Sequence, residues 1–219
     1  VTPPPSPFFG ESGPDPAEAD ALWQGPERAA RRLVLLHGWG ADADDLLDLG
    51  AELVGPAVSL VALRAPQPHP AGFGRQWYPL SPAPDWSQLP AARRDLRRRL
   101  EALAVTVPLE STAVLGFSQG AAMALDAATD LPLAALIACS GYPHPDWQPR
   151  PRTPVLLTHG LQDPVVMAAA SEELEERLLQ AGGAVERIGF PGGHGIDPVL
   201  FPRIRAFLEA GWGPAVSEG

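Results

Sequence analysis

Short runs of apolar residues at 33–36, 58–63, 112–117, 133–139, 154–158 and 185–190 alternate along the chain with segments of helical spacing. Most of these runs are continuous rather than alternating, and they are rich in Val and Leu. A strand of that kind hides both faces, as happens when helices cover both sides of a parallel sheet. Between the runs, Asp42 is placed to cap a segment carrying Leu46, Leu49 and Leu53 that stops at Gly55-Pro56. Leu96, Leu100 and Leu103 recur on one face among arginines. Residues 119–129 are Ala-rich with Met123 and Leu125. Ala170, Leu174, Leu178 and Ala181 share a face that ends at Gly182-Gly183, and Ile204 and Leu208 follow Pro202. Strands alternating with helices predict βαβ units with right-handed crossovers. The expected class is therefore α/β, a mostly parallel sheet with helices on both faces.

At 219 residues the chain suits one core rather than two. Residues 1–30, rich in Pro, Ala and acid, read as a loose arm, with Phe8 and Phe9 docking on the body. The body is expected over 31–212, with a tail at 213–219. Residues 64–92, dense in Pro and aromatics, show neither period, which marks a candidate functional loop. The formal net charge of −10 repels phosphate backbones and anionic lipid heads, so neither nucleic-acid binding nor stable membrane insertion is expected. No apolar run approaches the roughly 18 residues of a spanning helix. The first residues lack the basic start and apolar stretch of a secretory signal. The single cysteine, Cys139, excludes an internal disulfide and fits a reducing compartment, so a cytoplasmic protein is expected.

The most specific local signal is Gly116-Phe117-Ser118-Gln119-Gly120, directly after the 112–115 run and opening the Ala-rich helix. G-x-S-x-G between strand and helix is a nucleophile elbow. Its glycines remove Cβ atoms where strand and helix crowd, and the tight turn exposes the Ser118 hydroxyl. Read blandly, the same five residues are a glycine-rich turn with an inert serine. A serine needs a base to take its proton. Of five histidines, His69 and His144 lie among prolines and read as surface loop residues. His37 and His159 sit at strand ends, where a structural role is usual. His194, in Gly192-Gly193-His194-Gly195, follows the last strand on a loop that can project an imidazole. Asp163, after the 154–158 run, is placed to orient that imidazole, although an Asp-Pro turn also explains it. The order Ser118, Asp163, His194 is the α/β-hydrolase order, and each residue follows a different strand, where open parallel sheets place their sites. Acyl transfer also needs oxyanion donors. The elbow offers the Gln119 N–H, and the loop His37-Gly38-Trp39-Gly40 offers the Trp39 N–H.

These residues resemble the phospholipase/carboxylesterase family of α/β-hydrolases, which includes acyl-protein thioesterases and small bacterial carboxylesterases. The resemblance covers about residues 33–210. It rests on Leu36-His37-Gly38-Trp39-Gly40 with Asp42, on Gln76-Trp77-Tyr78, on Gly116-Phe117-Ser118-Gln119-Gly120 and on Ser140-Gly141. It rests also on His159-Gly160 with Asp163-Pro164-Val165-Val166, and on Gly193-His194. It implies an α/β-hydrolase fold with no large cap domain, no metal and no cofactor. It implies Ser118 as nucleophile, His194 as base and acid, Asp163 as orienting carboxylate, and the Trp39 and Gln119 backbone as oxyanion hole. It also places Trp77 and Tyr78 beside the acyl groove, although Trp77 equally suits an aromatic plug on the sheet edge. Family members often carry Pro where this chain has Met167, and the loop from Pro66 to Pro90 is not closely matched, which bears on substrate preference rather than chemistry.

The expected reaction is hydrolysis of short- to medium-chain acyl esters through an acyl-Ser118 intermediate, with loss of activity in acid as His194 becomes protonated. Trp39, Trp77, Tyr78, Met123 and Leu161 could line an apolar groove, and Met123 and Leu161 equally suit plain core. A thioesterase or lysophospholipase of the same family is the alternative activity. Outside that class stand a non-catalytic ligand-binding protein of the same fold, and a Cys-dependent enzyme of the dienelactone-hydrolase type, disfavoured because Cys139 falls in a buried strand. The expected partner is a small-molecule ester or thioester. Apolar residues in 64–92 suit either a groove or a homodimer contact.

Overall fold

A computed structural model describes residues 20–80 and 85–214. The elements in chain order are β1 (Ala21–Gln24), β2 (Arg32–Leu36), α1 (Leu47–Leu53), β3 (Ser59–Leu63), β4 (Gln67–Pro68), β5 (Arg75–Gln76), α2 (Leu89–Leu103), β6 (Thr112–Phe117), α3 (Gln119–Ala128), β7 (Ala135–Cys139), β8 (Val155–Gly160), α4 (Ala169–Gln180), β9 (Val185–Phe190) and α5 (Phe201–Trp212). The main sheet runs β1-β3-β2-β6-β7-β8-β9. All neighbours are parallel except β1, which pairs antiparallel with β3. This is the doubly covered sheet the apolar runs predict, and all six runs fall on its strands.

Side-chain alternation divides each strand between two cores. Val34, Leu36, Val114, Leu136, Ala138, Val155 and Leu157 face a core completed by Leu96 and Leu100 of α2, Met123 and Leu125 of α3, and Leu174 and Leu178 of α4. Leu33, Leu35, Ala113, Leu115, Ile137, Cys139 and Leu156 face the other, completed by Leu53 of α1 and by Ile204 and Leu208 of α5. Continuous apolarity is thus the consequence of helices on both sides. Asp42 caps the 3₁₀ turn Ala43–Leu46 that leads into α1. Its carboxylate accepts from Ala43 N–H at 2.7 Å, and Asp45 accepts from Asp42 N–H at 2.6 Å.

In its elements the structure differs from expectation in two places. The residues read as a loose arm include β1, whose Ala21–Gln24 pairs with Leu60–Leu63. A four-residue edge strand carries too little periodicity to stand out in sequence. Phe8 and Phe9 lie outside the described residues. The irregular stretch 64–92 contains a small hairpin, β4–β5, and the first residues of α2. That hairpin lies against the loop after β2, through Gly40 N–H to Arg75 C=O and Arg75 N–H to Ala41 C=O, both 2.8 Å.

Candidate active site

β6 runs straight into α3, and Ser118 alone makes the turn with φ 53° and ψ −117°. That is a strained backbone for a serine, held by Ser118 N–H to Cys139 C=O at 2.9 Å and Ala122 N–H to Ser118 C=O at 3.0 Å. The flanking glycines are required by close approach. A Cβ on Gly116 would lie 2.5 Å from Gly120 O, and one on Gly120 would lie 2.2 Å from Leu36 O. Register then sets the neighbours. Leu36 of β2 pairs with Gly116 of β6, so the loop after β2 opens beside Ser118. β8 and β9 end at Gly160 and Phe190 on the same edge, which delivers the loops bearing Asp163 and His194.

The three residues meet as one hydrogen-bonded chain. His194 Nε2 lies 3.0 Å from Ser118 Oγ, and His194 Nδ1 lies 2.7 Å from Asp163 Oδ2. The acid is buried, and its other oxygen accepts from the Val165 N–H at 2.8 Å and the Val166 N–H at 2.9 Å. Burial alone would raise the Asp163 pKa. The bonds from His194, Val166 and Val165 outweigh it and hold the carboxyl below its ordinary range. The acid is therefore ionised and aimed at Nδ1, which leaves Nε2 to face the hydroxyl.

Two further histidines support the site from beneath. His159 is buried, with Nε2 2.8 Å from Val166 O and 3.4 Å from Asp163 Oδ2, so its N–H faces the same turn that holds the acid. His37 accepts the Ala65 N–H on Nε2 at 3.1 Å and donates from Nδ1 to Gly38 O at 2.8 Å. Burial lowers its pKa and keeps it neutral. Both have the structural surroundings expected of strand-end histidines.

The two N–H groups expected to face an oxyanion come from separate elements. Trp39 follows β2, and its N–H has no acceptor among the described residues. Gln119 is the first residue of α3, so its N–H has no carbonyl one turn back in the helix. The Gln119 side chain, whose task no sequence signal announces, is buried. It accepts the Trp77 N–H on Oε1 at 2.9 Å and donates from Nε2 to Tyr78 O at 2.8 Å.

The residues expected to line a groove separate into two groups. Trp39 is 43% exposed and Leu161 is 55% exposed, on opposite sides of Ser118 along the sheet edge. Phe73, Val165 and Met167 are also exposed. Trp77 and Tyr78 are each only 1% exposed, and Met123 is fully buried in the core. These three are packed interior and not the groove wall expected of them. α3 is covered by the sheet on one side and by α2 on the other, which buries Met123. Trp77 turns inward because its indole N–H finds His37 O at 2.9 Å. Tyr78 turns inward because its hydroxyl finds Tyr142 Oη at 2.7 Å and His144 Nε2 at 2.8 Å.

His144 also departs from expectation. It is 1% exposed rather than on the surface, and its Nδ1 lies 2.5 Å from Asp126 Oδ2, which Arg93 also approaches to 2.7 Å. Burial lowers the His144 pKa despite that carboxylate, so the ring is neutral and its Nε2 accepts from the Tyr78 hydroxyl. Cys139 is fully buried, and burial pushes its thiol up to about 12, so it is not a competing nucleophile. Among the described residues, no group of three or more His, Cys, Asp or Glu side chains could hold a metal ion, and no helix is long and apolar enough to cross a membrane.

Comparison with known proteins agrees with this architecture. The phospholipase/carboxylesterase family profile aligns with residues 18–211. The esterase YpfH of Escherichia coli (strain K12) is 30% identical over 187 residues, covering 80% of each chain. The crystal structure of esterase PE8 superposes with a TM-score of 0.78 at 32% identity, over 86% of this chain and 96% of that one. The Bacillus cereus carboxylesterase shares the fold, with a TM-score of 0.76 at 23% identity over 87% and 93% of the two chains. A profile that spans nearly the whole described chain, with a relative alike over most of its length, places this protein in the phospholipase/carboxylesterase family, α/β-hydrolases that cleave carboxylic esters.

Proposed function

We propose that the protein is a serine carboxylesterase that hydrolyses short- to medium-chain acyl esters through an acyl-Ser118 intermediate. The observation that carries this reading is the chain Asp163–His194–Ser118, with contacts of 2.7 and 3.0 Å. In the proposed sequence His194 Nε2 takes the hydroxyl proton as Ser118 Oγ attacks the ester carbonyl. The oxyanion is held by the Trp39 and Gln119 N–H groups. The imidazolium, stabilised by ionised Asp163, then protonates the leaving alcohol, and a water repeats the cycle on the acyl-enzyme. Apolar exposed residues on both sides of Ser118, Trp39 and Phe73 on one and Leu161, Val165 and Met167 on the other, suit an apolar acyl group lying along the surface. The interior behind the elbow is filled by Trp77, Tyr78 and Met123, which favours a chain of limited length over a deep tunnel.

A p-nitrophenyl ester series from acetate to dodecanoate, run with wild type and Ser118→Ala, tests this. Activity centred on short and medium chains, reduced at least about 10³-fold in the variant, is expected. Unchanged turnover by Ser118→Ala would overturn the mechanism. A folded wild type active on acyl thioesters but on no ester of the series would move the substrate to the thioesterase alternative.

A further inference from the structure

The Gln76-Trp77-Tyr78 segment makes a set of bonds whose endpoints are not random. The Trp77 indole N–H donates to His37 O at 2.9 Å, two residues before Trp39. The Trp77 backbone N–H donates to the Gln119 side chain at 2.9 Å, and that side chain donates back to Tyr78 O at 2.8 Å. One residue earlier, Gln76 Oε1 accepts the Trp39 indole N–H at 3.0 Å, while Gln76 Nε2 donates to Pro68 O at 3.1 Å. Arg75 and the Gly40–Ala41 backbone exchange two bonds of 2.8 Å. The segment therefore reaches both residues whose N–H groups are assigned to the oxyanion. It is anchored at its far end by the Tyr78 hydroxyl on His144 and Tyr142, and His144 is in turn held by Asp126 of α3.

We propose that Gln76-Trp77-Tyr78 is a positioning strap that fixes the separation and aim of the two oxyanion donors, Trp39 and Gln119. The inference rests on the acyl-transfer reading above. The need for such a strap is physical. Gln119 is rigid, set in the first turn of a buried helix, whereas Trp39 sits on a glycine-flanked loop with its side chain exposed. Donors aimed at an oxyanion must be held within about 0.5 Å of the productive geometry, and an error near 1 Å can cost about 10²-fold in rate. Sheet pairing ends at Leu36 and does not reach Trp39. The strap supplies the missing constraint, from outside the sheet, on both donors together. Trp77 and Tyr78 thus act on the reaction without touching substrate.

The test uses the full chain with Trp77→Phe, which removes the indole bond to His37 O together with part of the buried ring, and Gln76→Met, which removes the acceptor of the Trp39 indole. Sites are counted by titration with a fluorophosphonate, so that turnover refers to competent enzyme. Each variant is expected to lose about tenfold in kcat on p-nitrophenyl butyrate with KM changed less than threefold. The inhibition constant of an alkyl trifluoromethyl ketone, whose adduct with Ser118 places an oxyanion in the same hole, is expected to rise by the same factor. A strap that served stability alone would lower the melting temperature but leave kcat per titrated site and ketone affinity at wild-type values. That result would overturn the proposal, as would failure of both variants to fold. Ser118→Ala keeps the two readings apart. If it retains wild-type turnover, the acyl-enzyme mechanism is wrong whatever the strap variants do. If it is inactive while the strap variants match wild type, only the strap is wrong.

Discussion

Ser118 is a residue whose task is set by its neighbours' lack of side chains. Its left-handed backbone is tolerable because Gly116 and Gly120 let β6, α3 and the end of β2 approach within distances no Cβ permits. Gly120→Ala is expected to force the helix off the Leu36 and His37 carbonyls, which would lie 2.2 and 2.5 Å from the new carbon. The contacts are backbone and cannot swing away, so a loss of about 3 kcal/mol in unfolding free energy is expected by urea titration. A loss under about 0.5 kcal/mol would show that the elbow has slack. The same spacing of glycines made Ser118 visible in sequence, because only a crowded strand–helix turn needs them. His194 was legible for a related reason, since it is the histidine set among glycines after the last strand. Trp77, Tyr78 and Met123 were not legible as interior residues. An aromatic or methionine fits a groove and a core equally well in one dimension, and only the partners of Trp77 Nε1 and Tyr78 Oη decided the matter.

Between elements, the link of most consequence is the buried polar chain that joins the loop after β7 to α3. Tyr142, Tyr78, His144, Asp126 and Arg93 follow one another in hydrogen-bond or ion-pair distance, and the middle members are buried. Such a chain is favourable only while every member is satisfied. His144→Leu leaves the Asp126 carboxylate with Arg93 and the Tyr78 hydroxyl with Tyr142, yet it removes the joint between them. Unfolding free energy is expected to fall by about 2–4 kcal/mol, measured by urea titration at pH 7.5. An unchanged midpoint would mean that the chain is replaceable by packing. The prolines around His144 predict a surface loop. Prolines mark a loop correctly, but they do not say that the loop folds back over a helix presenting Asp126.

For the whole molecule the two buried neutral histidines give the stability a definite pH dependence. Burial lowers the pKa of both His37 and His144 in the folded state, against about 6.5 in an unfolded chain. Below about 6.5 the unfolded chain binds protons that the folded chain refuses, so the stability gradient with pH is positive there. Their contribution is fully present above about pH 6.5 and declines as pH falls. Asp163, held below its ordinary range, adds a second loss of the same sign at lower pH, as the medium drops from the unfolded carboxylate value toward the folded one. Urea titrations from pH 8 to pH 5 are expected to show a flat upper region and a fall below about 6.5, with a shallower fall in His144→Leu. Constant stability across that range would contradict the buried neutral assignment.

The class of fold was determined by the sequence alone, because continuous apolar strands separated by helical faces have one economical burial, a sheet covered on both sides. The tight turn at Ser118 and the strand ends from which Asp163 and His194 follow were also written there, since glycine requirements and strand ends are local properties. The edge strand β1, the inward turn of Trp77 and Tyr78, the depth of His144 and the clamp made by the Gln119 side chain were decided by the tertiary structure. Each depends on a partner 18 to 66 residues away. Hydrogen-bond satisfaction in the interior is a property of three-dimensional neighbours, and no one-dimensional pattern encodes which distant carbonyl will be left in need of a donor.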